Sequence, residues 1–86
     1  MIVRIPSPLQ NYTKGLSTLE IDKATVIEVI DELDNKFPGI KFRFIDEQNR
    51  VRPNMAIFVN GKVINDIFMT LNKNSEIFIT HLISGG

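Results

Sequence analysis

The sequence predicts an α+β domain: one main helix packed on one face of a mixed sheet of four to five strands. Three observations predict it. Only one stretch, Thr25 to Phe37, carries its apolar residues at helical spacing. Five short runs of alternating, β-branched or aromatic type stand elsewhere, at 1–5, 16–21, 55–59, 62–64 and 76–80. A single helix covers only one face of such a sheet, so the order strand, strand, helix, strand, short strand, strand closes around one two-layer core.

The 86 residues make one small domain, with 43% apolar residues for a modest core. A chain of this size buries only about 60–65% of the surface it exposes when unfolded. Lys+Arg and Asp+Glu are each 10, so there is none of the basic excess of a nucleic-acid binder. No run approaches the roughly 20 apolar residues of a membrane span, and no signal-peptide pattern opens the chain. The expectation is a soluble, cytoplasmic protein without nucleic-acid or membrane partners. There is no cysteine, which excludes disulfides, thiolate metal sites and sulfur chemistry on a side chain. The single histidine, His81, makes a histidine-based metal site within one chain implausible. With this inventory the chain is not expected to be an enzyme, to hold a metal or to bind a cofactor of its own.

Each element has its own local reasons. Met1 to Ile5 is a strand with Val3 and Ile5 on one face, ended by Pro6 and Pro8. A loop follows to Lys14-Gly15, and Leu16 to Ile21 returns, with Leu19 and Ile21 on one side; the two strands form an antiparallel pair. In the helix, Val26, Val29, Ile30, Leu33 and Phe37 make one apolar stripe. Thr25 and Glu28 match a capping box, in which the threonine oxygen and the glutamate each satisfy a free amide. Lys36 near the end suits the helix dipole and lies at i, i+4 from Glu32, and Pro38-Gly39 stops the helix. The acidic set Glu28, Asp31, Glu32 and Asp34 reads as a solvated face in preference to a metal or partner patch.

Residues 40–53 read as a loose hairpin or crossing arm, because Phe42 and Phe44 alternate with Lys41 and Arg43 and Val51-Arg52 run back. With Arg50 these cations read as a solvated arm or a dock for an acidic partner, in preference to a nucleic-acid site. Met55, Ile57 and Val59 share one strand face, and Asn60-Gly61 marks a tight turn into Lys62-Val63-Ile64. In the connection at 65–71, Ile67, Phe68 and Leu71 are expected to tuck under the sheet, before a turn at 72–75. Alternation then sends Ile77 and Ile79 inward and leaves Phe58, Phe78 and Leu82 as an exposed apolar patch, a candidate partner interface. The strand feeds a tail of Ile83, Ser84, Gly85 and Gly86 that would reach about 13 Å if extended. Two glycines make it thin and pliable enough to thread a slot. The expected organisation is a domain at 1–82 and a flexible tail at 83–86.

Thr25-Val26 opening the helix, Phe37-Pro38-Gly39-Ile40 closing it, Ile57-Phe58-Val59-Asn60-Gly61, Ser75-Glu76-Ile77-Phe78-Ile79 and Ser84-Gly85-Gly86 occur in the order of one family. On these motifs the chain resembles the MoaD/ThiS ubiquitin-like sulfur carriers. Asp46-Glu47-Gln48 and Arg52-Pro53 are similar to a subgroup near the carriers used for cysteine synthesis in actinobacteria. The resemblance implies a β-grasp fold and a chain that is the substrate of an adenylating enzyme of the ubiquitin-activating type. That partner would use ATP to activate the Gly86 carboxylate, and sulfur would replace AMP to leave a thiocarboxylate. A sulfur-acceptor synthase, such as the large subunit of molybdopterin synthase or an enzyme of cysteine or thiamine synthesis, would consume it. The alternatives are conjugation of the same carboxylate to lysines and a non-catalytic binding module. Two residues depart from the family: His81 stands where many relatives have proline, and Asn74 where many have glycine. Asn74 is expected to hold a left-handed bend in glycine's place.

Overall fold

The computed structural model describes residues 1–82. It contains β1 (Ile2–Arg4), β2 (Thr18–Glu20), α1 (Val26–Lys36), a short α2 (Lys41–Phe44), β3 (Met55–Val59), β4 (Lys62–Ile64) and β5 (Glu76–His81). The strands form one five-stranded sheet in the order β2-β1-β5-β3-β4. β1 and β2 are antiparallel, as expected, and β5 inserts between β1 and β3, parallel to the first and antiparallel to the second. This is the mixed sheet with one main helix that the sequence predicts. No helix among the described residues is long and apolar enough to cross a membrane.

The core lies between the sheet and α1. Val26, Val29, Ile30 and Leu33 are buried and meet the inward residues Val3, Ile57, Ile77 and Ile79. Thr25 caps the helix, its hydroxyl oxygen accepting from the Glu28 amide at 3.4 Å. The second half of the predicted capping box differs: the Glu28 carboxylate accepts from the Thr25 hydroxyl at 2.8 Å. The next free amides go to the chain at 65–71, with Val26 N–H donating to the Met69 carbonyl and Ile27 N–H to the Ile67 carbonyl. At the other end, Gly39 takes φ 97° and Asp34 accepts from the Gly39 and Lys41 amides. Asp34 is therefore a turn cap, Asp31 pairs with Lys41 at 2.8 Å and Glu32 with Lys36 at 3.9 Å.

Three expectations are corrected. Residues 41–44 are helical, not extended. Successive even positions of a helix face opposite ways, so Phe44 is fully buried while Phe42 is exposed. The return run survives as a single Ile45–Val51 bridge closed through Asn49 at φ 60°. Phe68 does not tuck under the sheet but is exposed. The Asp66 carboxylate accepts from its amide at 2.9 Å in a local turn that sends Ile67 inward and Phe68 out. Asn74 is not left-handed; among described non-glycine residues only Lys14, Asn49 and Asn60 have positive φ. Asn72 shapes that turn, accepting from the Asn74 amide and the Ser75 hydroxyl on its side-chain oxygen.

Candidate functional site

The sheet's outer face is set by register. The Asn60-Gly61 turn has φ 52° and 84°, positive at both central residues, which is the tight geometry that keeps β3 and β4 in step. Phe58 is thereby placed opposite Val63 on β4 and Phe78 on β5, and Phe78 opposite Arg4 on β1. One row thus crosses the sheet as Arg4, Phe78, Phe58, Val63. The Phe58 and Phe78 rings meet edge to face, with centroids 6.2 Å apart and planes at 86°. Asn60 locks the row to β5: its amide donates to the Glu76 carbonyl and its side-chain oxygen accepts from the Glu76 amide, both at 2.9 Å.

The three predicted patch residues do come together on this face. Phe78 and Leu82 are 43% and 50% exposed, while Phe58 is only partly so, because its neighbours on both strands flank it. Val63, 60% exposed, belongs to the patch and was missing from the sequence reading. The signal was present: a two-residue turn at 60–61 fixes 58 against 63. Beside the patch, Val51, Pro53, Val63 and Leu82 line a shallow groove of about 440 Å³, with Arg52 at its rim. The Arg52 Nε donates to the Phe42 carbonyl at 2.7 Å, which fixes the guanidinium there. The last described residue is held firmly, Leu82 N–H donating to the Asn54 carbonyl at 2.8 Å. Ile83, Ser84, Gly85 and Gly86, the expected tail and reactive terminus, lie outside the described residues.

Asp46 accepts from the Gln48 and Arg50 amides and lies 3.5 Å from the Arg50 guanidinium. The Arg50 amide bond, opposed by some desolvation and helped by the Gln48 amide and the charges of Arg50 and Arg52, holds its carboxyl below the usual range. No three His, Cys, Asp or Glu among the described residues are grouped to hold a metal. This face thus presents an apolar row, Phe78, Phe58 and Val63, with Arg4 at one end and Arg52 at the neighbouring groove.

A solved structure of the BexX/CysO complex of Amycolatopsis orientalis contains a chain that is 26% identical, with 99% of this chain and 98% of that one covered at a TM-score of 0.88. CysO of Mycobacterium tuberculosis, described as an antigen, is 21% identical over 95% and 98%, at 0.89. SAMP1 of Haloferax volcanii is 20% identical over 100% and 98%, at 0.80, a likeness of fold. No curated protein sequence matches the chain. The ThiS family model matches residues 3–86, from the first strand through both glycines, and the chain therefore belongs to the ThiS family.

Proposed function

We propose that this protein is a sulfur carrier whose reactive group is the Gly86 carboxylate. The observation that carries the reading is the family match through Gly85-Gly86 in a chain without cysteine. Sulfur cannot ride on a side-chain thiol here, whereas a terminal carboxylate can take it. A carboxylate is a poor acyl donor, so it must first gain a leaving group. The carboxylate oxygen attacks the α-phosphate of ATP in a partner of the ubiquitin-activating type, and pyrophosphate leaves. Sulfide then attacks the acyl carbon, AMP departs with the electron pair of the broken C–O bond, and a proton is released. The product is a thiocarboxylate for a biosynthetic acceptor, in molybdopterin, cysteine or thiamine synthesis. Phe58, Phe78, Val63 and Leu82 dock the partner, and β5 directs Ile83, Ser84 and Gly85 into its active site. The likeness to a chain of a two-protein complex supports docking on a partner.

The test is ATP–pyrophosphate exchange by the adenylating enzyme, with this chain as substrate. Gly86→Val adds a branched side chain in the slot, and one added residue moves the carboxylate by about 3.3 Å. Near-attack geometry tolerates about 1 Å, so each change is expected to abolish exchange without altering the melting temperature. Undiminished exchange by the lengthened chain sinks the mechanism. Transfer to a lysine of a target, seen as an isopeptide, would instead make the chain a protein modifier.

A further inference from the structure

The half of β5 nearest the tail has one open edge. On the β3 side of β5, Leu82 N–H donates to the Asn54 carbonyl and the Glu76 carbonyl accepts from Asn60 N–H. Backbone groups alternate along a strand, so those of Ile79 and His81 face the opposite side, toward β1. β1 reaches only the Ile79 N–H, which the parallel pairing sets against the Arg4 carbonyl. Its pairing with β5 stops at Arg4 opposite Phe78, and Ile5 N–H turns to the Ser17 carbonyl at 2.8 Å. One step further the register would set the Ile79 carbonyl against the nitrogen of Pro6, which carries no hydrogen. Among the described residues no acceptor meets the His81 N–H, and the His81 carbonyl takes only the Thr80 hydroxyl at 3.4 Å. The His81 imidazole adds a buried Nδ1 without a partner. Beside this edge runs a groove of about 430 Å³ between Pro6, Ser7 and Pro8 on one bank and Phe78, Thr80 and His81 on the other.

We propose that this edge is a strand-docking site: an extended segment of the adenylating enzyme pairs with β5 at Ile79 and His81. The occupant follows from the chemistry. An unpaired carbonyl and N–H in strand register are satisfied together by another extended backbone. Phe78 borders both this groove and the apolar row, so the two surfaces form one continuous interface. The His81 N–H is the specificity element, because a chain with proline at this position cannot donate it. The inference rests on the activation reading, since it names the activating enzyme as the strand donor.

His81→Pro deletes that one N–H and spares the β3 ladder, to which residue 81 contributes no bond. It is expected to keep the melting temperature of the parent chain and to raise KM for the carrier in ATP–pyrophosphate exchange roughly fivefold to tenfold, with kcat unchanged. His81→Ala, which keeps the N–H, is expected to match the parent. Hydrogen exchange of the parent mixed with enzyme alone is expected to slow at the His81 amide by at least about tenfold. Equal KM for parent and His81→Pro, equal losses for His81→Pro and His81→Ala, no protection at His81, or no binding would each overturn the site. Protection that depends on carrier concentration without enzyme would also overturn it, by giving the edge to a second copy. Binding with His81 protection but no exchange would leave the docking edge standing and defeat the adenylation reading.

Discussion

The two faces of β5 divide the molecule's work. Ile77 and Ile79 point to α1 and are 2% exposed, whereas Phe78 and Leu82, between and beyond them, are 43% and 50% exposed. The residues are equally apolar, so composition does not separate them; the two-residue period of a strand does. The inner face holds the fold together. The outer face leaves similar hydrophobic surface in water, a patch of the kind that a partner can cover. Fold stability and the proposed docking therefore sit one residue apart on one strand and are expected to be separable by mutation.

The largest expected effect is on the inner layer. Leu33→Ala removes a fully buried side chain under the sheet and is expected to cost about 2–5 kcal/mol, read by chemical denaturation. Phe78→Ser on the outer face is expected to cost less than about 1 kcal/mol, the value of a cross-strand pair, while weakening binding to the adenylating enzyme. Equal destabilisation by the two would erase the distinction between the faces.

The smallest effect concerns the arm at 46–50. Asp46 is held below the usual carboxylate range by the Arg50 amide. A depressed folded-state pKa gives stability that is present above the ordinary carboxylate range and lost as pH falls through the lowered value. The arm is expected to loosen only at acid pH, seen as joint NMR shifts of the Asp46 carboxyl and the Gln48 and Arg50 amides, and Asp46→Asn is expected to remove that transition. Shifts that extend to Phe58 or Phe78 would show that the arm and the outer face are coupled.

Most of the fold was legible where one residue type has one structural use. The stripe from Val26 to Leu33, the Thr25 cap, Pro38-Gly39 and Asn60-Gly61 each met the structure as read. The misreadings fall where local hydrogen bonds compete with pattern. Phe42 and Phe44 are two apart, which suits a strand, but one short helical turn separates them just as well into one buried and one exposed ring. Asp66 redirects Phe68 by accepting its amide, and Asn72 does the bending assigned to Asn74. The outer patch was legible from alternation. Val63 was not read with it, because pairing across β3 and β4 enters only once the turn is converted into register. The open edge at His81 depends on where β1 leaves the sheet, a three-dimensional fact that only Pro6 hints at.

The proposed carriage of sulfur on the terminal carboxylate is open to direct measurement. The direct measurement is the intact mass of the chain after incubation with the adenylating enzyme, ATP and sulfide, followed by fragmentation. The expected result is a mass gain equal to replacing one oxygen by sulfur, located at Gly86 and absent when ATP is withheld. An unchanged mass while the enzyme forms the adenylate, or a gain located at any other residue, would contradict it.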